Sequence, residues 1–223
     1  MSIEYIILFL FILIAIIKLY KKSTNKIEFK YASMEDEYIE PKLIKNIITN
    51  EECNYILKKS KDLFKESSIL SGKDISIRKS YTCWLEKNDP IIKNIYKRIC
   101  NKLKQNFENC EDLQVVKYDE NGYYREHNDS CCDDNEHCKE FVKRGGQRKI
   151  TIVIYLNDDF EEGTTYFPNL DKHYKAPKNG GLLFYSLSKK RNICHPKGLH
   201  TGTDVKKGQK YIANVWIREN KFI

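Results

Sequence analysis

The chain has no internal repeat and no extended low-complexity tract, so neither a repeat array nor a disordered scaffold fits it. Its 8 cysteines lack the paired spacing of a zinc ribbon. The cluster of Cys131, Cys132 and Cys138 beside His137 leaves two alternatives open, a zinc site or a loop disulfide in an oxidising lumen. Cys53, Cys83, Cys100, Cys110 and Cys194 read as buried or idle thiols. Histidine is scarce, 5 in 223 residues. That length allows one domain plus an appendage and buries a core without a metal or disulfide staple. The net charge of +8 raises the question of a nucleic-acid partner. However, Lys18, Lys21, Lys22, Lys26 and Lys30 gather beside an apolar N-terminus, so no nucleic acid is expected.

From Tyr5 to Ile17 there is no charge at all. With Ile3, Leu19 and Tyr20 the segment approaches the roughly 20 apolar residues of a full membrane span. No basic residue precedes the run and no small-X-small site follows it, which argues against a cleaved signal peptide. Residues 1–20 are therefore expected to be a single-pass anchor, and 21–36 a Lys-rich stalk. The basic residues that follow the span favour a cytosolic C-terminal domain.

Residues 37–112 read as a support region of helices and strands. Leu43, Ile44, Ile47 and Ile48 suggest a strand. Thr49 and Glu52 have the spacing of a capping box, so a helix begins there with Cys53, Ile56, Leu57, Leu63 and Phe64 on its apolar face. A strand is expected over Ile75 to Leu85. A second helix starts at Pro90, with Ile91, Ile95, Ile99 and Leu103 along one stripe. From Leu113 the pattern changes to short runs separated by turns: Leu113–Tyr118, Ile150–Leu156, Gly181–Tyr185 and Tyr211–Ile217. The fold class expected is mostly β with flanking helices (α+β), with a jelly-roll core over 113–223 and an N-terminal membrane helix.

His127 and Asp129 sit two apart, so on a strand both side chains leave the same face. A third ligand from His200 gives two imidazoles and one carboxylate on one side of an octahedral metal, the facial arrangement of non-haem Fe(II) oxygenases. Lys210 offers a fixed positive charge for a dicarboxylate co-substrate such as 2-oxoglutarate. His137, His173 and His195 lack this context and read as structural.

In order, the chain carries Tyr118-Asp-Glu-Asn-Gly-Tyr-Tyr-Arg-Glu-His127-Asn-Asp129, Arg148-Lys-Ile-Thr-Ile-Val-Ile-Tyr-Leu-Asn157 and Gly163-Thr-Thr-Tyr-Phe-Pro168. His200, Lys210 and Ile212-Ala-Asn-Val-Trp-Ile-Arg218 follow. This series resembles the 2-oxoglutarate- and Fe(II)-dependent dioxygenases, and within them the prolyl 4-hydroxylases. The resemblance implies a double-stranded β-helix. It implies His127, Asp129 and His200 as iron ligands and Lys210 on the distal carboxylate of 2-oxoglutarate. Tyr155 would donate its hydroxyl to that carboxylate, and Tyr118 would contact the co-substrate nearer the metal. Tyr124, Arg148, Trp216 and Arg218 are nominated for a proline-bearing peptide, with Trp216 and Arg218 on one strand face. L-ascorbate is implied as the reductant that rescues oxidised iron. The resemblance favours the lumen of the endoplasmic reticulum, against the basic flank, so the side of the membrane stays open.

The sequence also departs from the family pattern. Glu162-Gly163 replaces a usual Gly-Gly pair, Asp204 stands where a Pro is common, and 130–147 is a Cys- and acid-rich insertion. These differences bear on substrate recognition. Two other readings stand beside proline hydroxylation: the same chemistry on lysyl residues or a methylated nucleic acid, and a catalytically silent, membrane-tethered binding module.

Overall fold

The computed structural model describes residues 29–223 except 70, 71, 73 and 191, together with Tyr5, Phe9, Leu10, Ile12 and Ile14. Most of the expected anchor, and residues 21–28 of the expected stalk, lie outside the described residues. Among the described residues no helix is long and apolar enough to cross a membrane.

The strands in chain order are β1 (Lys42–Ile44), β2 (Lys65–Glu66), β3 (Arg78–Lys79), β4 (Tyr81–Leu85), β5 (Leu113–Tyr118), β6 (Tyr123–His127) and β7 (Arg148–Tyr155). They continue as β8 (Glu161–Glu162), β9 (Thr165–Phe167), β10 (Lys172–Tyr174), β11 (Gly181–Tyr185), β12 (His200–Gly202), β13 (Val205–Lys207) and β14 (Lys210–Arg218). A seven-stranded major sheet runs β1-β11-β7-β14-β5-β4-β2, and a five-stranded minor sheet runs β10-β9-β12-β6-β3. Neighbouring strands are antiparallel. The protein is thus mostly β, two sheets packed as a jelly roll.

Period-2 alternation explains both cores. Ile150, Ile152 and Ile154 of β7 leave one face with Leu113 and Val115 of β5 and Ala213, Val215 and Ile217 of β14. That face packs on helices α1 (Asn50–Ser60) and α2 (Pro90–Leu103) through Cys53, Ile56, Ile92, Ile95 and Tyr96. The support region and the jelly roll therefore share one core. The intervening residues Val116, Tyr118, Val153, Tyr155 and Ile212 face the minor sheet and close a second core with Phe167 and Val205. Because both faces are covered, β7 reads as an almost unbroken apolar run.

The helix starts follow the sequence. Thr49 caps α1 in a reciprocal box with Glu52, and Asp89 caps α2 ahead of Pro90. Leu63 and Phe64 lie beyond α1, which ends at Ser60. Ile47 and Ile48 leave the expected strand because Asn46, at φ 52°, turns the chain after β1. The strand expected over Ile75–Leu85 is two strands: β3 joins the minor sheet, β4 the major one. The chain changes sheet at Ser80. The insertion holds α3 (Glu136–Lys143), capped by Asn135 and pinned by a Cys131–Cys138 disulfide. A second disulfide joins Cys132 to Cys194, so Cys194 is not idle and the zinc alternative has lost its ligands.

Candidate active site

Two of the candidate ligands come from the minor sheet. His127 ends β6 and His200 begins β12, and they stand directly opposite each other in the antiparallel register. Each Nδ1 lies against a backbone carbonyl, Arg125 O at 2.8 Å for His127 and Gly198 O at 2.9 Å for His200. With the proton on Nδ1, each ring turns the Nε2 lone pair inward, as a ligating imidazole requires. Asp129 completes the group, its Oδ1 3.9 Å from His127 Nε2 and 4.0 Å from His200 Nε2. All three ligand atoms lie within 4.8 Å of one another, and they form the metal-competent cluster among the described residues. Asp129 does not share a strand with His127, as the spacing suggested. β6 ends at His127, and the carboxylate reaches the histidines from the following bend.

The electrostatics suit a cation. Burial and the neighbouring His200 push His127 well below the ordinary histidine range, so it is neutral at physiological pH. Burial raises the Asp129 carboxyl, but the facing His200, the Arg148 guanidinium and the Thr151 hydroxyl more than offset this and keep it below the usual carboxylate range. Two imidazoles and one carboxylate make a donor set that suits ferrous iron.

The triad opens on a cavity of 740 Å³. Lys210, at the start of β14 and opposite Tyr118 of β5, lines its wall and is only 2% exposed. Its Nζ lies 5.2 Å from the Tyr118 ring centroid and 5.4 Å from that of Tyr155. Among the described residues it has no carboxylate partner. Burial, with a contribution from Lys175, pushes it down to about 7. A buried ammonium with no counter-ion is costly, so the position fits an anionic ligand that enters the cavity.

Tyr118 and Tyr124 line the cavity, and the Tyr124 ring stacks on His127 at 3.5 Å. The Tyr155 hydroxyl instead faces Thr165 Oγ1 and the Tyr174 carbonyl, each at 3.2 Å. Thr165, not Tyr155, forms the cavity wall there. Two nominated substrate residues are placed differently from the expectation. Arg218 is 1% exposed, paired with Glu111 and donating to the carbonyls of Phe141 and Gly146, so it lies behind the cavity. Trp216 lines the cavity but directs its indole N–H at Asp129. Arg148 lines it too, held by Glu111 through two hydrogen bonds.

Sequence reasoning missed Glu111, Arg78, Trp84 and Thr151. Glu111 is buried between Arg148 and Arg218; burial raises its carboxyl, and the two guanidiniums bring it below the usual range. Arg78 reaches over the Tyr124 ring at 4.5 Å, and Trp84 lies 5.9 Å from Trp216 with 48% of its surface exposed. Thr151 left one legible trace, a hydroxyl inside the apolar run of β7.

The profile of the 2OG-Fe(II) oxygenase superfamily matches residues 113–218, from β5 to the end of β14. The chain belongs to that superfamily, among its prolyl 4-hydroxylase-like members. A protein of Acanthamoeba polyphaga mimivirus with a prolyl 4-hydroxylase designation is 46% identical over 197 residues, 88% of this chain and 81% of its own. Prolyl 4-hydroxylase 1 of Arabidopsis thaliana is 30% identical over 198 residues, 79% of this chain and 68% of its own. Among solved structures, a truncated viral collagen prolyl hydroxylase from Paramecium Bursaria Chlorella virus-1 superposes with a TM-score of 0.63 at 25% identity. It covers 89% of this chain and 100% of its own.

Proposed function

We propose that this protein hydroxylates prolyl residues of a proline-rich or collagen-like polypeptide, with ferrous iron as cofactor and 2-oxoglutarate as co-substrate. The observation that carries the reading is the convergence of His127, Asp129, His200 and the buried Lys210 on one cavity. Relatives with prolyl 4-hydroxylase names support the choice of proline. Bound iron would supply the oxidising chemistry, by which one oxygen atom of dioxygen would enter the substrate C–H bond and the other the succinate formed as 2-oxoglutarate loses carbon dioxide.

The chain's own residues do the binding and orienting. His127, Asp129 and His200 would hold the ion beside the cavity. Lys210 would take the distal carboxylate of the co-substrate, in a cavity that Thr165 also lines. Tyr118 walls the inner part of the same pocket. On the outer part, Tyr124, Arg148 and the exposed edge of Trp84 offer aromatic and guanidinium surface for an extended peptide.

L-ascorbate is the reductant expected to restore oxidised iron. The apolar run over residues 1–20 supports a single-pass membrane anchor. The two disulfides favour a catalytic domain on the luminal side, in an oxidising compartment. The test is mass spectrometry of proline-rich and Gly-X-Pro peptides after incubation with enzyme, ferrous iron and 2-oxoglutarate. One added oxygen on proline is expected. Succinate stimulated only by lysyl peptides or methylated oligonucleotides would overturn the choice of substrate.

A further inference from the structure

Asp129 is the ligand that the minor sheet does not hold. His127 and His200 are fixed by strand pairing and by their Nδ1 contacts, whereas Asp129 lies two residues past the end of β6. Its carboxylate is gripped from the major sheet instead. Oδ2 accepts hydrogen bonds from Thr151 Oγ1 at 2.6 Å and Trp216 Nε1 at 3.1 Å. Thr151 of β7 and Trp216 of β14 are register partners, so both side chains leave the same sheet face at one level. Thr151 is 1% exposed and Trp216 5%, so water does not compete for either donor. The indole is braced in turn: the Arg148 guanidinium lies 3.5 Å from its ring centroid. Glu111 fastens Arg148 with bonds of 2.6 and 2.8 Å.

With Oδ2 occupied by two donors, the carboxylate has only Oδ1 to offer, and Oδ1 is the oxygen nearest the two imidazoles. We propose that Thr151 and Trp216 are positioning residues that make Asp129 a one-oxygen metal ligand, with Arg148 and Glu111 holding the indole in place. The inference rests on the reading of His127, Asp129 and His200 as a ferrous site. One-oxygen ligation leaves the remaining positions around the ion to the co-substrate and dioxygen. A carboxylate released from this grip rotates and loses its preset direction, so affinity for the ion falls.

The experiment uses the full chain, stripped of metal and titrated without oxygen with ferrous iron, and with cobalt(II) as a spectroscopic probe. Thr151→Val keeps the volume and removes the hydroxyl; Thr151→Ser keeps the hydroxyl and removes the methyl. Trp216→Phe keeps a ring beneath Arg148 and removes the N–H, which gives an independent readout. Wild type is expected to bind one equivalent. Thr151→Val and Trp216→Phe are expected to bind about 10- to 100-fold more weakly with an altered cobalt spectrum, the usual loss when a ligand's hydrogen-bond donor is removed. Thr151→Ser is expected to restore wild-type affinity, which a merely packed threonine would not explain. Wild-type affinity in both Thr151→Val and Trp216→Phe, or equal weakening in Thr151→Ser and Thr151→Val, would overturn the inference while leaving the ferrous site standing. Absence of stoichiometric binding in wild type would bring down the site reading and this inference together.

Discussion

Raising the pH through neutrality should loosen the grip on 2-oxoglutarate, because Lys210 holds its proton in the empty cavity only up to about 7. The dicarboxylate needs the ammonium form. Above the point where the empty site deprotonates, each binding event must take up a proton, and the dissociation constant rises toward tenfold per pH unit. Between about pH 6.5 and about pH 8.5 the ammonium fraction falls from roughly three quarters to roughly 3%, so the dissociation constant rises roughly 25-fold. Stability has the opposite sign. A lysine held below its ordinary value of 10.5 makes the empty fold gain stability as pH climbs from about 7 toward that value. Bound dicarboxylate restores the ordinary proton affinity and flattens the gain. Calorimetry in buffers of different ionisation enthalpy reads the proton uptake directly. Lys210→Met removes a charge-assisted contact worth about 1.5–3 kcal/mol, so it weakens binding about 10- to 100-fold and abolishes the pH dependence. A dissociation constant flat from pH 6.5 to 8.5, or a Lys210→Met variant that binds as tightly as wild type, would refute the argument.

Two predictions concern the frame around the site. Glu111→Gln strands Arg148 and Arg218 without their counter-ion; the cost is about 3–5 kcal/mol, or roughly 6–20 °C in thermal midpoint, by differential scanning calorimetry. An unchanged midpoint would show that the buried ion pairs carry no such load. The Cys132–Cys194 disulfide spans a sequence separation of 62 and ties the segment after Asp129 to the one before His200. Replacing both cysteines by serine should cost about 4 kcal/mol in denaturant unfolding. Equal stability of the variant and the oxidised protein would contradict that role.

The parts of this protein that were legible in sequence are those written in local chemistry. The Thr49 and Glu52 box and the Asp89–Pro90 start each announce a helix, because capping is decided within a few residues. Strands β5, β7, β11 and β14 show as apolar runs because both sheet faces are covered. The ligand triad was visible as an ordered set of residue types. What was not legible depends on contacts between distant segments. Nothing near Glu111 says that it will meet Arg148 and Arg218, 37 and 107 positions away. Trp216 and Arg218 share a strand face, as alternation requires, yet one meets Asp129 and the other the insertion behind the cavity. Spacing gives a side chain its direction but not its neighbour. Ile75–Leu85 failed as one strand for the same reason, since the change of sheet at Ser80 satisfies two different partners.

The most direct test of the site is the mutual dependence of iron and 2-oxoglutarate binding, measured by anaerobic equilibrium dialysis. Wild type should hold one ferrous ion, and each ligand should tighten the other by the same factor, because linkage is reciprocal. Asp129→Ala and His200→Ala should lose the ion and the coupling, while Lys210→Met keeps the ion and loses affinity for the dicarboxylate. Iron bound with full affinity in Asp129→Ala, or 2-oxoglutarate bound equally well with and without iron, would contradict the account.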